Sequence, residues 1–322
     1  MPTLTTSGVS TTLEVLTPAF EAAREQVQPH LTDLYDDIPM TDGDGTEKKL
    51  YATGGYSKPR EMYGNPEHLD RLGSYVLTAK PITYGNGFEI RDDELSDARI
   101  KSALVDAGQL GTYVGSYFEE LLVTNIIEQA SAGTQYDGFD GQMLFSNSHT
   151  WTVSDQTPGI PAPTYTSTQD NLLATSGIAT VGDVLTDLYA GLAAMDGYVN
   201  DKGIRFGRPS NFKLIALGCS LNGPLMQMLD LAFKEVARAS DNTNRSGWQW
   251  NVSVLGSPHL TNNNNWYLFR IPAGGKKPMG KLNRQDVVTE TYRDPKLLLN
   301  YWQYSFRCRA LWLQWWNAVK FA

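Results

Sequence analysis

The sequence predicts an α+β fold: one long helix, a projecting β-hairpin, a small α/β unit and a sheet closed by the C-terminus. Three stretches predict it. Residues 96–132 carry Ile100, Leu104, Ala107, Gly111, Val114, Phe118, Leu121 and Leu122 at gaps of three and four, which places one helical face inward. Residues 47–87 are rich in β-branched and aromatic residues broken by Gly and Pro, with no clear apolar face. From Trp302 to Trp312 every even position is apolar or small, while 303, 305, 307 and 309 are polar. That alternation is the signature of a strand with one buried face.

Residues 1–46 read as an arm with a single helix over 18–27, in TPAFEAAREQV. Thr17 is placed to cap it, Pro18 suits the first helical position and Glu21 falls near the third. The Thr/Ser-rich start and the TDGDG end cannot bury a core alone. The hairpin that follows needs another surface to lie on, which points to assembly independently of any family. Asp92, Asp93, Glu94 and Asp97 then open the long helix, with Ser96 as its cap, where carboxylates complement the helix dipole. From 96 to 132 the helix would be roughly 50 Å long at 1.5 Å per residue. Gly108, Gly111 and Gly115 lie along it. Each costs roughly 1 kcal/mol against alanine, which makes sense where another backbone packs closely. The helix breaks at Gly133 into the loop GFDGQMLFSNSHTW.

The polar, Pro-rich stretch 152–171 reads as a surface loop. A second helix is expected over 181–198, with Val184, Leu185, Leu188, Leu192 and Met195 at helical spacing. FKLIAL (212–217) is a strand of a buried kind, Ser220 is placed to cap the helix through Phe233, and NVSVLGSPHL and NWYLFRI are strands joined across TNNNN. Four of the eight tryptophans fall within 302–322, which makes this end a core or interface element.

With 322 residues, 41% of them hydrophobic, the chain has material for one large domain or two smaller ones and is not of the disordered class. A net charge of −8 gives no reason for generic nucleic-acid affinity. No apolar run is long enough to span a membrane, and the N-terminus lacks the basic and apolar regions of a secretory signal. Cys219 and Cys308 match no metal or redox spacing and read as buried, reduced thiols. The charge is unevenly spread. Residues 1–45 hold eight acids against one base, and residues 270–322 hold ten bases against three acids. The expectation is that the acidic arm, through Asp36 and Asp37, meets the basic end of a neighbouring subunit, through Arg284 and Arg293. Such a contact weakens with salt. In the projecting segment Lys48, Lys49, Tyr51, Lys58, Arg60 and Tyr63 are read as subunit contacts, since the negative net charge disfavours nucleic acid there.

Catalytic patterns are wanting. His30, His68, His149 and His259 stand far apart and form no zinc spacing. There is no nucleophile elbow and no phosphate loop. The GxG of YGNGFEI lacks the third glycine of a dinucleotide site and reads as a turn. Asp137, Asp140 and His149 suggest a carboxylate–histidine pair, the basis of an alternative reading as a hydrolase. Their Asp-Gly dipeptides are turn formers, so loop structure is the preferred reading. No catalytic residue, cofactor or metal is expected.

The helix followed by YDGFDGQMLFSNSHTW resembles the major head subunits of Mu-like tailed bacteriophages, which share the Hong Kong 97 type of capsid fold. The resemblance extends over the order of elements from the arm to the last strand, with further support from the unit at 181–236. It implies an N-terminal arm (1–46), an extended loop reaching over an adjacent subunit (47–87) and a peripheral domain (88–210) with the spine helix 96–132. An axial domain (211–275) and C-terminal strands returning to the peripheral domain (276–322) complete it. The implied function is that of a major capsid protein. It self-assembles as hexamers and pentamers into an icosahedral shell around double-stranded DNA, in the virion, after assembly in the host cytoplasm. Scaffolding, decoration and portal proteins are the implied partners, with no membrane. Some members begin with a long scaffolding segment that a protease removes. Only residues 1–46 precede the hairpin here, so a separate scaffolding protein or none is expected. Some relatives cross-link lysine to asparagine. Lys58 and Asn262 lie in suggestive regions, but no catalytic glutamate is identifiable and no cross-link is expected. An encapsulin-type compartment, which shares the fold and holds a cargo enzyme, is the alternative shell.

Overall fold

Two sheets and a two-stranded arm organise the chain. The computed structural model describes residues 15–53, 74–91, 100–151, 163, 165–207, 209, 211–241, 251–294 and 296–322. The helices are α1 (Leu16–Gln26), α2 (Ile100–Leu122), α3 (Val181–Gly197) and α4 (Gly223–Asp241). The strands are β1 (Tyr35–Pro39), β2 (Lys48–Thr53), β3 (Ser74–Ala79), β4 (Ile82–Arg91), β5 (Leu172–Leu173) and β6 (Phe212–Cys219), then β7 (Asn251–Ser257), β8 (Trp266–Pro272), β9 (Met279–Asp294), β10 (Leu299–Trp312) and β11 (Ala318–Phe321).

The four-stranded sheet has the order β1-β9-β10-β4. β9 and β10 form a long antiparallel ribbon, β4 pairs antiparallel with β10, and β1 runs parallel to β9. The expected alternation holds: Trp302, Tyr304, Phe306, Cys308, Ala310 and Trp312 are all buried. Arg309 and Leu311, on the other face, are buried as well. Leu311 packs with Met40, Ala79 and Leu282, and the Arg309 guanidinium lies over the Tyr136 ring at 5.7 Å. The alternation therefore ends where other segments cover the second face.

The inner face of this sheet is roofed by α1 and α2. Phe20 of α1 sits 5.1 Å from Trp302 and 5.2 Å from Tyr304, ring to ring. Leu16 and Phe20 are fully buried, each worth about 1.5–3 kcal/mol against exposure. Thr17 does not cap this helix. The N-cap position is Val15, without a side-chain bond. The Thr17 hydroxyl accepts instead from the Trp302 indole N–H at 3.3 Å. Gly111 faces the Phe20 backbone, and a Cβ on Gly115 would stand 2.7 Å from Val27 Cβ. Two of the three helix glycines thus serve the close crossing of α1 and α2, while Gly108 faces open space.

The long helix ends earlier than its pattern suggests. After Leu122 a π-turn spans Val123–Ile127 and buries Val123, Ile126 and Ile127 together. Glu128 then leaves the axis, and its carboxylate accepts from the amides of Thr261 and Asn262 and the Thr261 hydroxyl. That tertiary bond replaces the expected continuation to Ala132. The acidic opening turn and Ser96 lie outside the described residues.

The five-stranded sheet has the order β5-β11-β8-β6-β7. β6 and β7 are parallel and joined through α4, while β8 is antiparallel to β6, the expected strand–helix–strand–strand unit. Both faces are covered. Helix α3 lies over Leu268 and Phe321, and α4 over Gly218. Phe145 packs on Tyr267 and Phe269 from the other side. A capping box between Thr180 and Asp183 starts α3. Asn222, not Ser220, caps α4, its Oδ1 accepting from Leu225 N at 3.2 Å.

The C-terminal segment divides between the sheets: β9 and β10 lie in the first, and β11 pairs antiparallel with β8 in the second. Trp315 and Trp316 sit at the crossing. The end of the Pro-rich stretch, expected on the surface, is also inside. Asn171 is fully buried and its amide donates to carbonyls of Leu144, Trp315 and Ala318.

Candidate assembly surfaces

β2 and β3 pair from Lys48↔Ala79 to Thr53↔Ser74 and form a sheet of their own. Two strands alone are marginal in water, so the arm depends on its root. Tyr75 is that root. It is 2% exposed, and its ring lies 5.4 Å from Phe139 and 5.1 Å from Trp151. Burial, then the Asp201 carboxylate, hold its phenol protonated well above the ordinary range. Behind it stand Phe206, Trp315 and Trp316, packed on Trp151. The opposite side of the arm is open: Lys49 is exposed and Tyr51 is 56% exposed. Lys48 is tied down, donating to Pro39 O at 2.5 Å and to Asp44 at 3.2 Å. Lys58, Arg60 and Tyr63 lie outside the described residues.

The acidic and basic ends meet within one chain. Asp33 pairs with Lys213 at 2.6 Å, and Asp36 Oδ2 accepts from Lys277 N at 2.9 Å. The Lys277 ammonium donates to the carbonyls of Thr32 and Tyr35, and Arg284 donates to Thr41 O. β1 lies parallel to Met279–Asn283, with Asp37 opposite Lys281. Asp36 and Arg284, expected at a contact between subunits, are thus engaged within their own chain. An intrachain pairing is favoured because no second molecule has to be captured. Asp37 is exposed, and Arg293 is half-buried opposite Asn300. Burial, with Asp37 and Glu119 nearby, pushes the Tyr35 phenol up to about 12.

The Asp140/His149 pair is structural. His149 Nδ1 lies 2.7 Å from Asp140 Oδ2, and Nε2 lies 3.1 Å from Leu144 O. Both side chains are fully buried, and the imidazole stacks on Trp315 at 4.4 Å. With both ring nitrogens engaged and no opening to solvent, the pair offers no base to a substrate. Asp137 accepts from Gln129, Gly133 and Thr134 and so closes the turn after the helix. Among the described residues there is no group of three or more metal-ligating side chains, and no helix is long and apolar enough to cross a membrane.

A family model described as "Phage capsid protein" matches residues 74–320. The chain belongs to the phage capsid protein family. No curated protein matches it. Among solved structures, the mature capsid of bacteriophage PhiM1 aligns with a TM-score of 0.55 at 10% identity, covering 92% of this chain and 87% of the other. The head of the Helicobacter pylori bacteriophage KHP40 aligns at 0.54 and 9%, covering 92% and 90%. A virus-like particle from Pyrococcus furiosus aligns at 0.52 and 12%, covering 96% and 98%. The fold is the Hong Kong 97 type capsid fold. The protein is a major capsid shell protein of the virion, and association with copies of itself is its function.

Sequence patterns did not single out the residues that hold this capsid protein's arm. Tyr75 sits in SYVLTA, a strand with the right alternation but no mark of its partner. Asp201 and Arg270 carried no motif. Arg270 is 1% exposed, bound to Asp196 at 2.8 Å, to Asn317 and to the Met195 carbonyl. A buried charge of this kind becomes visible only once its cage is built.

Proposed function

We propose that the chain is the major head subunit of a Mu-like tailed phage. Hexamers and pentamers of it close an icosahedral shell around double-stranded DNA, in the host cytoplasm, without catalysis and without lysine–asparagine cross-links. The carrying observation is the β2–β3 arm, buried at Tyr75 and Ala79 yet open at Lys49 and Tyr51. An edge of this kind asks for a covering surface. Residues 82–87, expected in the extended loop, instead pair with β10 as part of β4. In this reading the outer face of the β2–β3 arm and the segment 54–73 lie on the adjacent subunit, with Lys49, Tyr51, Lys58, Arg60 and Tyr63 as contacts. The body around α2 and the four-stranded sheet is the peripheral domain, and the unit of 211–275 with its helices is the axial domain. Each contact can be weak because every subunit makes several. The acidic net charge of −8 keeps the wall from gripping packaged DNA. Scaffolding, decoration and portal proteins act as separate chains.

The test is negative-stain electron microscopy of the protein expressed alone and with the neighbouring genes of its genome. Rings or closed shells are expected, and a variant joining Thr53 to Ser74 by a short turn should stay folded but form none. Shells that persist without residues 54–73 would overturn the role of the arm. Particles filled with a cargo enzyme in place of DNA would favour the compartment reading. A ladder of covalent multimers on denaturing gels would refute the absence of cross-links.

A further inference from the structure

The chain has two Asn-Gly dipeptides, Asn86-Gly87 and Asn222-Gly223, in opposite settings. We propose that Asn86-Gly87 is a site of spontaneous covalent modification, a succinimide-forming deamidation site built into the outer strand of the four-stranded sheet. Strand β4 pairs with β10 on one side and ends the sheet. Gly85, Asn86 and Gly87 are all exposed. The Gly87 N–H donates to Asn86 Oδ1 at 2.8 Å. That hydrogen bond holds the Gly87 nitrogen beside the side-chain carbonyl whose carbon, Cγ, it attacks. No side chain on residue 87 hinders the approach.

The reaction needs only water and base. Hydroxide removes the Gly87 amide proton, and the nitrogen bonds to Asn86 Cγ. The side-chain nitrogen takes up a proton and leaves as ammonia. Water then adds to one of the two ring carbonyls and breaks one ring C–N bond. The product is aspartate or, with the main chain rerouted through the side chain, isoaspartate. The second product adds a methylene to the backbone of β4. There is no slack for it, since the residues on both sides of Asn86 are paired in continuous register with β10. The lengthened strand must lose register with β10 beyond Gly87↔Gln303.

Asn222 is the internal control. Its amide nitrogen donates to Asn263 O and its Oδ1 accepts from Leu225 N as the cap of α4. Both ends of that amide are held away from the Gly223 nitrogen.

Trypsin separates the two sites, in peptides 72–91 and 214–234. The folded protein and a urea-unfolded sample are incubated at mildly alkaline pH and followed by mass spectrometry, with chromatography to resolve aspartate from isoaspartate. Peptide 72–91 should acquire the amide-to-acid mass shift at a rate approaching that of the unfolded chain. Peptide 214–234 should be slowed on folding by roughly a hundredfold, the order expected for a misplaced reacting pair. The N86Q variant should abolish the shift in peptide 72–91. An unmodified peptide 72–91 in the folded protein, or equal protection of both sites, would overturn the proposal.

Discussion

The two sheets of this capsid protein meet solvent differently. In the five-stranded sheet β6 is buried without interruption from Leu214 to Cys219, and β8 from Trp266 to Arg270. In the four-stranded sheet β10 alternates, and Tyr301, Gln303 and Ser305 remain half-buried. The far end of that ribbon is more open still. Val288 and Tyr292 are exposed, Leu297 and Leu298 are 62% and 55% exposed, and Leu298 adopts φ 54°. The first sheet is finished by helices of its own chain. The second, with the arm, is left with apolar surface that a monomer does not cover. Exposed apolar side chains remain on and beside the helices around the five-stranded sheet as well, at Tyr189, Leu221 and Leu231, so the contrast lies in the strands and not in the whole units.

The sharpest way to break that contrast is inside the finished sheet. R270M takes the guanidinium away from Asp196, and should cost about 3–5 kcal/mol in chemical denaturation, because the buried Asn317 and Met195 oxygens lose their charged donor. A loss below about 1 kcal/mol would mean that the cage is wet. On the alternating strand, W302A should cost about 3–5 kcal/mol, while Y301A on the neighbouring position, which loses the stacking on Tyr292, should cost about 0.5–1.5 kcal/mol. Equal effects would refute the one-sided burial of β10.

Alkaline titration probes the same inner face. Burial raises the Cys308 thiol from 9.0 to about 11 and the Tyr35 phenol from 10.0 to about 12. The folded state keeps both protons where the unfolded chain has released them. Above pH 9 the unfolded state binds fewer protons, so stability should fall as pH rises through this window and be fully present below it. A flat unfolding midpoint between pH 9 and 11 would contradict this. D36N, at a half-exposed ion pair, should cost under about 1 kcal/mol and less in high salt. The smallest effect on stability is expected for Y51S, within about 0.5 kcal/mol. Its assembly into rings should nevertheless fail if the outer face of the arm is a contact.

Much of the fold was legible because local patterns and tertiary burial agree. The even positions of β10, the apolar run of β6 and the spacing along α3 each match the face that is covered. Thr17 shows where such reading fails. Its residue type suits a cap, but the hydroxyl is claimed by Trp302, a residue 285 positions away. Glu128 likewise ends α2 through amides at 261 and 262, which no window around the helix contains. The burial of Asn171 inside a Pro-rich polar stretch depends on three carbonyls from two distant segments.

By itself the sequence determined the class of fold, the long helix, the hairpin and the division between alternating and continuous strands, since periodicity records which faces leave water. The tertiary structure alone decided that the acidic segment joins the basic strand of its own chain, that the Asp140–His149 pair is sealed beneath Trp315, and that Tyr75 roots the arm. Charge and hydrogen bonding have no period along a chain. Their partners are set by which surfaces the packed core brings together.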